Sequence, residues 1–378
     1  MPDFSHIVDF VDPINLSLIS NDELYKEGQI GKIIDIYEEY LPAIEEADIV
    51  LVGCNEERGS GIAKKGSSAP DAIRRQFYQL FYWHTDIRLA DVGNVKKGAG
   101  LGDTYAALKT VVKELINGGK TVIILGGSHD LTLSQYYAYA DNKQVIEAVC
   151  VDAKVNISME VPEPCENFLL EMLTEEPNYT HNYSHIGFQS YLVHPHILET
   201  MDKLRFDCYR VGQVKENIDE MEPVIRNCHL FSFDISALAH AFAPASTISP
   251  NGFDGEQACV LMRYAGMSSN TNTIGVYGYA PDKDREDLTS KQISHMLWYA
   301  IEGRSRGKQE AGLEEKDSFN EYYTTFAEVN TVFLQSKRTG RWWMQLPDKK
   351  FIACSYKDYL LASSNEYPER WLRAQERV

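Results

Sequence analysis

Residues 148–158 read AVCVDAKVNIS, and this stretch decides the architecture. Ala148, Val149, Cys150 and Val151 form a short apolar run of the kind buried on both faces in a parallel sheet. Asp152, Lys154 and Asn156 follow at alternate positions. If the chain stays extended, all three project to one side of the strand end. In open α/β sheets, ligands and chemistry gather at the carboxyl ends of the strands. Residues 148–158 therefore predict a strand that carries a site.

Similar apolar runs recur on either side. Residues 48–53 (DIVLVG), 89–92, 121–125 (TVIIL), 183–188 (YSHIGF), 206–211, 230–235 (LFSFDI) and 274–279 (IGVYGY) are strand candidates. Helical stretches lie between them, at 70–83 behind Pro70, 104–117, 131–140 and 289–302. The alternation from about residue 48 to 302 predicts an α/β fold: a three-layer, doubly wound, mostly parallel sheet with helices on both faces. Upstream, the apolar spacing of residues 32–47 (KIIDIYEEYLPAIEEA) predicts a helix. Downstream, residues 332–346 predict a hairpin turning at Thr339 and Gly340, followed by a helix in YKDYLLASS. The domain reading is an N-terminal extension (1–47), an α/β domain (48–305) and a C-terminal extension (306–378) packed on it, joined by a charged linker.

A formal net charge of −18 argues against a nucleic-acid or anionic-membrane partner, both of which need basic patches. No apolar run reaches the ~20 residues of a spanning helix. No basic stretch leads into an apolar core at the amino terminus, so no signal peptide is read there. Seven cysteines, an odd count without CxxC spacing, read as reduced thiols in a cytoplasmic protein. Residues 97–103 (KGAGLGD) read as a turn with Asp103 capping the next helix; the GxGxG spacing lacks the features of a dinucleotide fingerprint.

Three strand ends carry polar residues: GGSHD at 126–130, DAKVN at 152–156 and SFDIS at 232–236. In order and spacing they resemble the three metal-binding motifs of the ureohydrolase (arginase, agmatinase, formimidoylglutamase) superfamily. That family reads GGDHS or GGGHE, then DAHxD, then SxDxDxxDP. GSGIAKKGSSAPDAIR (59–74) is similar to its early loop and helix, and APDKDREDLTS (280–290) to the segment after its last catalytic strand. Asp130, an acidic residue after the histidine, leans toward the formimidoylglutamase branch.

The resemblance implies a dinuclear manganese centre whose bridging hydroxide attacks a guanidinium or formimino carbon. Position by position, His129, Asp152 and Asp234 match the ligand pattern. Lys154 replaces a histidine ligand, while Asn156 and Ser236 replace carboxylates; Gly278 stands where a substrate-binding glutamate is expected. Two carboxylates, one ammonium and a protonated His129 make a nearly neutral cluster that needs no metal, whereas the full set of four carboxylates does. The expectation is that Lys154 fills the space of one metal and bridges Asp152 and Asp234, its pKa raised by both. The alternative is a single manganese ion on His129, Asp152, Asn156 and Asp234. The reading that follows is a non-catalytic regulatory, structural or ligand-binding subunit without cofactor. It forms a homo-oligomer or joins an active relative. The competing reading is a C–N hydrolase of a guanidino or formimino compound that uses at most one metal.

Other residues carry blander expectations. His194 and His196 read as a surface loop, His181 and His185 as flanking a strand start, and His240 as a core or rim residue. Cys150 reads as an inert core thiol, and Trp342 and Trp343, with Arg338 and Arg341 nearby, as aromatics packed on the body.

Overall fold

The computed structural model describes residues 4–20, 25–61, 68–158, 160, 163–326 and 328–376. Residues 62–67 of the early loop lie outside the described set. The strands, in chain order, are β1 (Val11–Asp12), β2 (Asp35–Ile36), β3 (Ile49–Gly53), β4 (Leu89–Val95), β5 (Thr121–Leu125), β6 (Ile146–Val151), β7 (Thr180–Phe188), β8 (Asp207–Arg210), β9 (Leu230–Asp234) and β10 (Thr273–Tyr277). They form one 10-stranded sheet in the order β1-β4-β3-β5-β10-β9-β6-β7-β8, with β2 also on β4. Every pairing is parallel except β1 with β4. The chain leaves β5, skips two strand widths to lay down β6, and later returns to fill the gap with β9 and β10. That reversal of strand order is the switch point where α/β sheets open a crevice.

The two-residue period of the strands divides the core. Ile49, Leu51, Ile123, Leu125, Val149, Val151, Phe231, Phe233, Ile274 and Val276 pack on one face. Their alternates Val50, Val52, Val122, Ile124, Ala148, Cys150, Leu230 and Tyr277 pack on the other. Both faces are covered, chiefly by the helices Ala69–Phe77, Gly255–Met267 and Leu288–Gly307 on the first and Leu101–Asn117, Thr132–Ala140 and Pro164–Thr174 on the second. This is why the strands read as unbroken apolar runs.

The predicted helix at 32–47 does not form. Residues Ile30–Ile33 make a single turn, Asp35–Ile36 pairs with Ala90 and Asp91 of β4, and Ile44–Glu46 is a short 3-10 turn. Pro42 interrupts the periodic stretch, and edge pairing of the β-branched residues competes with the helix. The helix behind Pro70 stops at Phe77, short of 83. In the turn at 97–103, Asp103 accepts the amide of Gly100 at 2.7 Å. Arg58 donates to the carbonyls of Gly98, Ala99 and Gly100, so those oxygens are not open to a ligand.

Beyond the helix Leu288–Gly307 lies a second sheet, antiparallel, of β11 (Phe319–Phe326), β12 (Val329–Ser336), β13 (Trp342–Gln345) and β14 (Phe351–Cys354), followed by the helices Tyr356–Ser363 and Glu369–Glu376. The sequence reading finds β12 and β13 but misses their outer neighbours. Trp343 is buried beneath the Arg226 guanidinium, 4.5 Å from its centroid. Arg226 Nη1 also donates to the Trp342 carbonyl at 2.6 Å. Glu310 ties the approach segment down by accepting from Ser336 Oγ at 2.6 Å, from Thr339 and from Arg341 Nε at 2.8 Å. Among the described residues no helix is long and apolar enough to cross a membrane, and all seven cysteines are free.

One buried ion pair fixes the first helix to the sheet. Arg74 Nε and Nη2 donate to the two oxygens of Asp91, each at 2.8 Å, with neither side chain exposed. Tyr78 adds a third donor to Asp91 at 2.8 Å. Arg74→Met leaves this carboxylate unpaired inside the core and should cost about 3–5 kcal/mol in chemical denaturation.

Burial raises the Glu310 pKa, but its hydroxyl and guanidinium partners outweigh that and hold it below the usual carboxylate range. Its contribution to stability is therefore present above the unfolded value near 4.5 and lost as pH falls through the lower folded value. Thermal melts between pH 5 and 3 (roughly the window that linkage defines) should show a steeper acid limb for the wild type than for Glu310→Gln.

Candidate active site at the strand ends

In the parallel register of β6 on β9, Val151 lies opposite Phe233. The next residues are Asp152 and Asp234. Both continue the strand alternation on the face that carries Cys150, Ser232 and the helix Pro164–Thr174. His129 arrives from the turn after β5, across β10, and completes the cluster. The phenyl ring of Phe168 lies 4.6 Å from the imidazole, centroid to centroid.

Asp152 is the centre of this group. Its Oδ1 accepts the Ser236 hydroxyl at 2.6 Å and the Lys154 backbone amide at 3.0 Å. Its Oδ2 accepts the Asn156 amide NH2 at 2.7 Å and pairs with His129 Nδ1 at 2.9 Å. Burial opposes the charge, but these donors and the His129 charge dominate, and the carboxyl is held well below the usual range. The His129 ring is likewise penalised by burial, yet Asp152 and Asp234 hold it protonated well above an ordinary histidine. Its Nε2 meets Ser232 Oγ at 2.8 Å. Beneath the cluster, His185 is pushed down to about 4, chiefly by burial. The neutral ring donates from Nε2 to the Asp152 carbonyl at 3.1 Å, while Nδ1 faces the Tyr183 hydroxyl at 2.9 Å.

Asp234 behaves differently. It accepts the Ser236 amide at 2.8 Å and lies 3.7 Å from His129 Nδ1. Burial and the neighbouring Asp152 charge raise its pKa to about 6. Two adjacent carboxylates thus behave differently: one is saturated with donors and stays charged, while the other takes up a proton near pH 6.

Lys154 does not bridge the two aspartates, which corrects the sequence expectation. The strand stops at Val151, and the Lys154 side chain turns outward to Glu166 of the helix Pro164–Thr174, at 2.8 and 3.2 Å. Burial lowers the Lys154 pKa, but the Glu166 pairing prevails and raises it. The reason for the misreading is geometric: alternation predicts a shared side only while the backbone stays extended. Asp152 is neutralised instead by Ser236, Asn156 and His129. Glu166 escapes sequence reasoning because it lies ten residues past Asn156 with no motif around it. Ser232 and His185 could have been found from strand parity alone.

Gly278, after β10, has φ +79, and its amide donates to the Gly127 carbonyl at 2.9 Å. A Cβ added there would sit 2.5 Å from Asp234 Oδ2. The position expected to hold a substrate-binding glutamate therefore has no room for a side chain beside Asp234 as it stands. His194, His196 and His181 are exposed, and none of them joins the site. His240 pairs through Nδ1 with the Ser246 carbonyl at 2.9 Å, and Cys150 is buried.

A cleft of about 230 Å³ opens over the cluster, lined by His129, Asp152, Lys154, Asn156, Cys165, Glu166, Asp234, Ser236, Gly278 and Lys283 among others. A larger cavity of about 650 Å³ lies elsewhere, between β7–β8 and the C-terminal sheet, and contains none of these residues.

Comparison with known proteins places this arrangement. A model of the arginase family matches residues 47–302, and the chain belongs to that family. A formimidoylglutamase from Staphylococcus haemolyticus is 23% identical over 260 residues, covering 66% of this chain and 82% of the relative. An agmatinase from Serratia proteamaculans is 24% identical over 274 residues, covering 66% and 85%. Among solved structures, formimidoylglutamase from Bacillus subtilis superposes with a TM-score of 0.65 at 18% identity, covering 75% of this chain and 95% of that one.

The donor set does not fit two metal ions. An ammonium, an amide and a hydroxyl stand at three of the six ligand positions, and among the described residues no group of three His, Cys, Asp or Glu side chains is arranged to hold a metal. A single ion at His129, Asp152, Asn156 and Asp234 would have to displace the Asn156 donor from Asp152.

These contacts predict an order of effects. Ser236→Ala and Asn156→Ala each remove a buried donor from a charged carboxylate and should cost about 1–3 kcal/mol. Lys154→Met breaks a half-exposed pair and should cost less than about 1 kcal/mol, whereas a bridging ammonium would make it the worst of the three. Urea denaturation of the three variants distinguishes the cases.

Proposed function

We propose that this arginase-family chain works without a dinuclear metal centre, as a structural, regulatory or ligand-binding subunit of the cytoplasm. One observation carries the reading: all four hydrogen bonds around the Asp152 carboxylate come from protein donors, two of them from side chains at replaced ligand positions. A carboxylate in that state is neutralised from within and has no lone pair directed at a pair of cations. Family hydrolases need such a pair to generate and hold a hydroxide.

A second reading is a metal-dependent C–N hydrolase of a guanidino or formimino compound that uses at most one ion. The open cleft favours it, because His129 and Asp234 both reach its surface. So do relatives named for hydrolysis, matched over more than four-fifths of their length.

Release of urea, ammonia or formamide from arginine, agmatine, guanidinobutyrate and formiminoglutamate, with manganese present, separates the two. The proposal expects no turnover above the uncatalysed rate. Turnover that disappears in Asp234→Ala would establish the hydrolase instead. Calorimetric manganese titration should show no stoichiometric site in the wild type. The triple substitution Lys154→His, Asn156→Asp, Ser236→Asp should gain metal binding by restoring the missing donors.

A further inference from the structure

The main sheet ends in short strands, the two residues of β1 and the four of β8. The C-terminal sheet does so on one side only, at the four residues of β14. Its outer strand β11 runs for eight residues, FNEYYTTF, and among the described residues pairs on one side only. The ladder with β12 is unbroken from Phe319 opposite Ser336 to Phe326 opposite Val329, with no bulge. No proline, lysine or arginine interrupts the strand, and Glu321 is its one charged residue. Long, flat, uncharged edges are templates for another strand, and proteins that stay single normally blunt them. Among the described residues, backbone hydrogen bonds from this strand run to β12 alone. This unit also lies outside the 47–302 segment that matches the family.

We propose that β11 is a homodimerisation edge, pairing antiparallel with the same strand of a second copy to make a continuous eight-stranded sheet. The occupant follows from symmetry and charge. A two-fold axis perpendicular to the sheet keeps each face on its own side, so paired residues must have the same parity in sequence. Centred on Tyr322, the pairing sets Tyr322 opposite its mate, Glu321 opposite Tyr323, and Asn320 opposite Thr324. Within one strand the Tyr323 hydroxyl already donates to the Glu321 carboxylate. The centred register brings the same two groups together across the joint, twice. A parallel, in-register stack would instead align Glu321 with Glu321, and like charges directly opposite are unfavourable. The charge pattern thus selects a closed pair over an open fibre. Tyr323 is 75% exposed, so it is available to the partner and is not needed for folding.

Sedimentation velocity on the full chain, at tens of micromolar (on the order of a weak dimer's Kd), provides the test. The wild type should sediment as a dimer. Tyr323→Glu places a second carboxylate opposite Glu321 and should weaken association at least about tenfold. Tyr323→Lys places an ammonium there and should remain dimeric. Unchanged melting temperatures would confirm that both variants are folded. A wild type that is monomeric throughout, an open polymer, or a Tyr323→Glu variant as dimeric as the wild type would each overturn the proposal.

Discussion

A carboxylate at the carboxyl end of a parallel strand, buried to within a few per cent of complete, needs compensating charge or donors. Asp152 sets that condition, and the neighbouring residues are arranged around it. Ser236 and the Lys154 amide serve one oxygen; Asn156 and His129 serve the other. In low dielectric such a group is stable only when every lone pair has a partner. The requirement reaches into the scaffold as well, because His185, kept neutral by burial, holds the Asp152 carbonyl from beneath.

The two aspartates show how one sheet separates the behaviour of like groups. They are neighbours in register, on the same face, at the ends of adjacent strands. Donors and neighbouring charge distinguish them: Asp152 receives four donors, one from the charged His129, while Asp234 accepts the Ser236 amide and faces the Asp152 charge. One is therefore a fixed negative charge and the other a carboxyl that takes up a proton near pH 6. His129 offsets Asp152 and Lys154 offsets Glu166, so the net charge of the cleft floor follows the protonation of Asp234. In the family's ligand pattern that balance falls to cations, whereas here hydroxyl and amide donors carry much of it.

Much of this was legible beforehand. The apolar runs, the polar strand ends and the motif order define the sheet and the cluster of His129, Asp152 and Asp234, because period and spacing survive folding. Lys154 was misplaced because its direction depends on where the strand stops, and nothing local to DAKVN marks Val151 as the end. Glu166 was invisible because the contact is tertiary. Residues 32–47 carry a helical period, yet pairing on β4 overrides it. β11 was missed because its tyrosines and threonines alternate only weakly between buried and exposed positions, and half-exposed edge strands give the faintest sequence signal.

The close approach of Gly278 to Asp234 has a consequence for the history of such a site. A side chain at 278 and the present Asp234 position exclude each other sterically. Restoring the ligand residues alone would leave the substrate end of the cleft closed to a glutamate for as long as Asp234 keeps this position. Substrate contact from position 278 therefore depends on two changes together, a displaced Asp234 carboxylate and a side chain that tolerates a left-handed backbone.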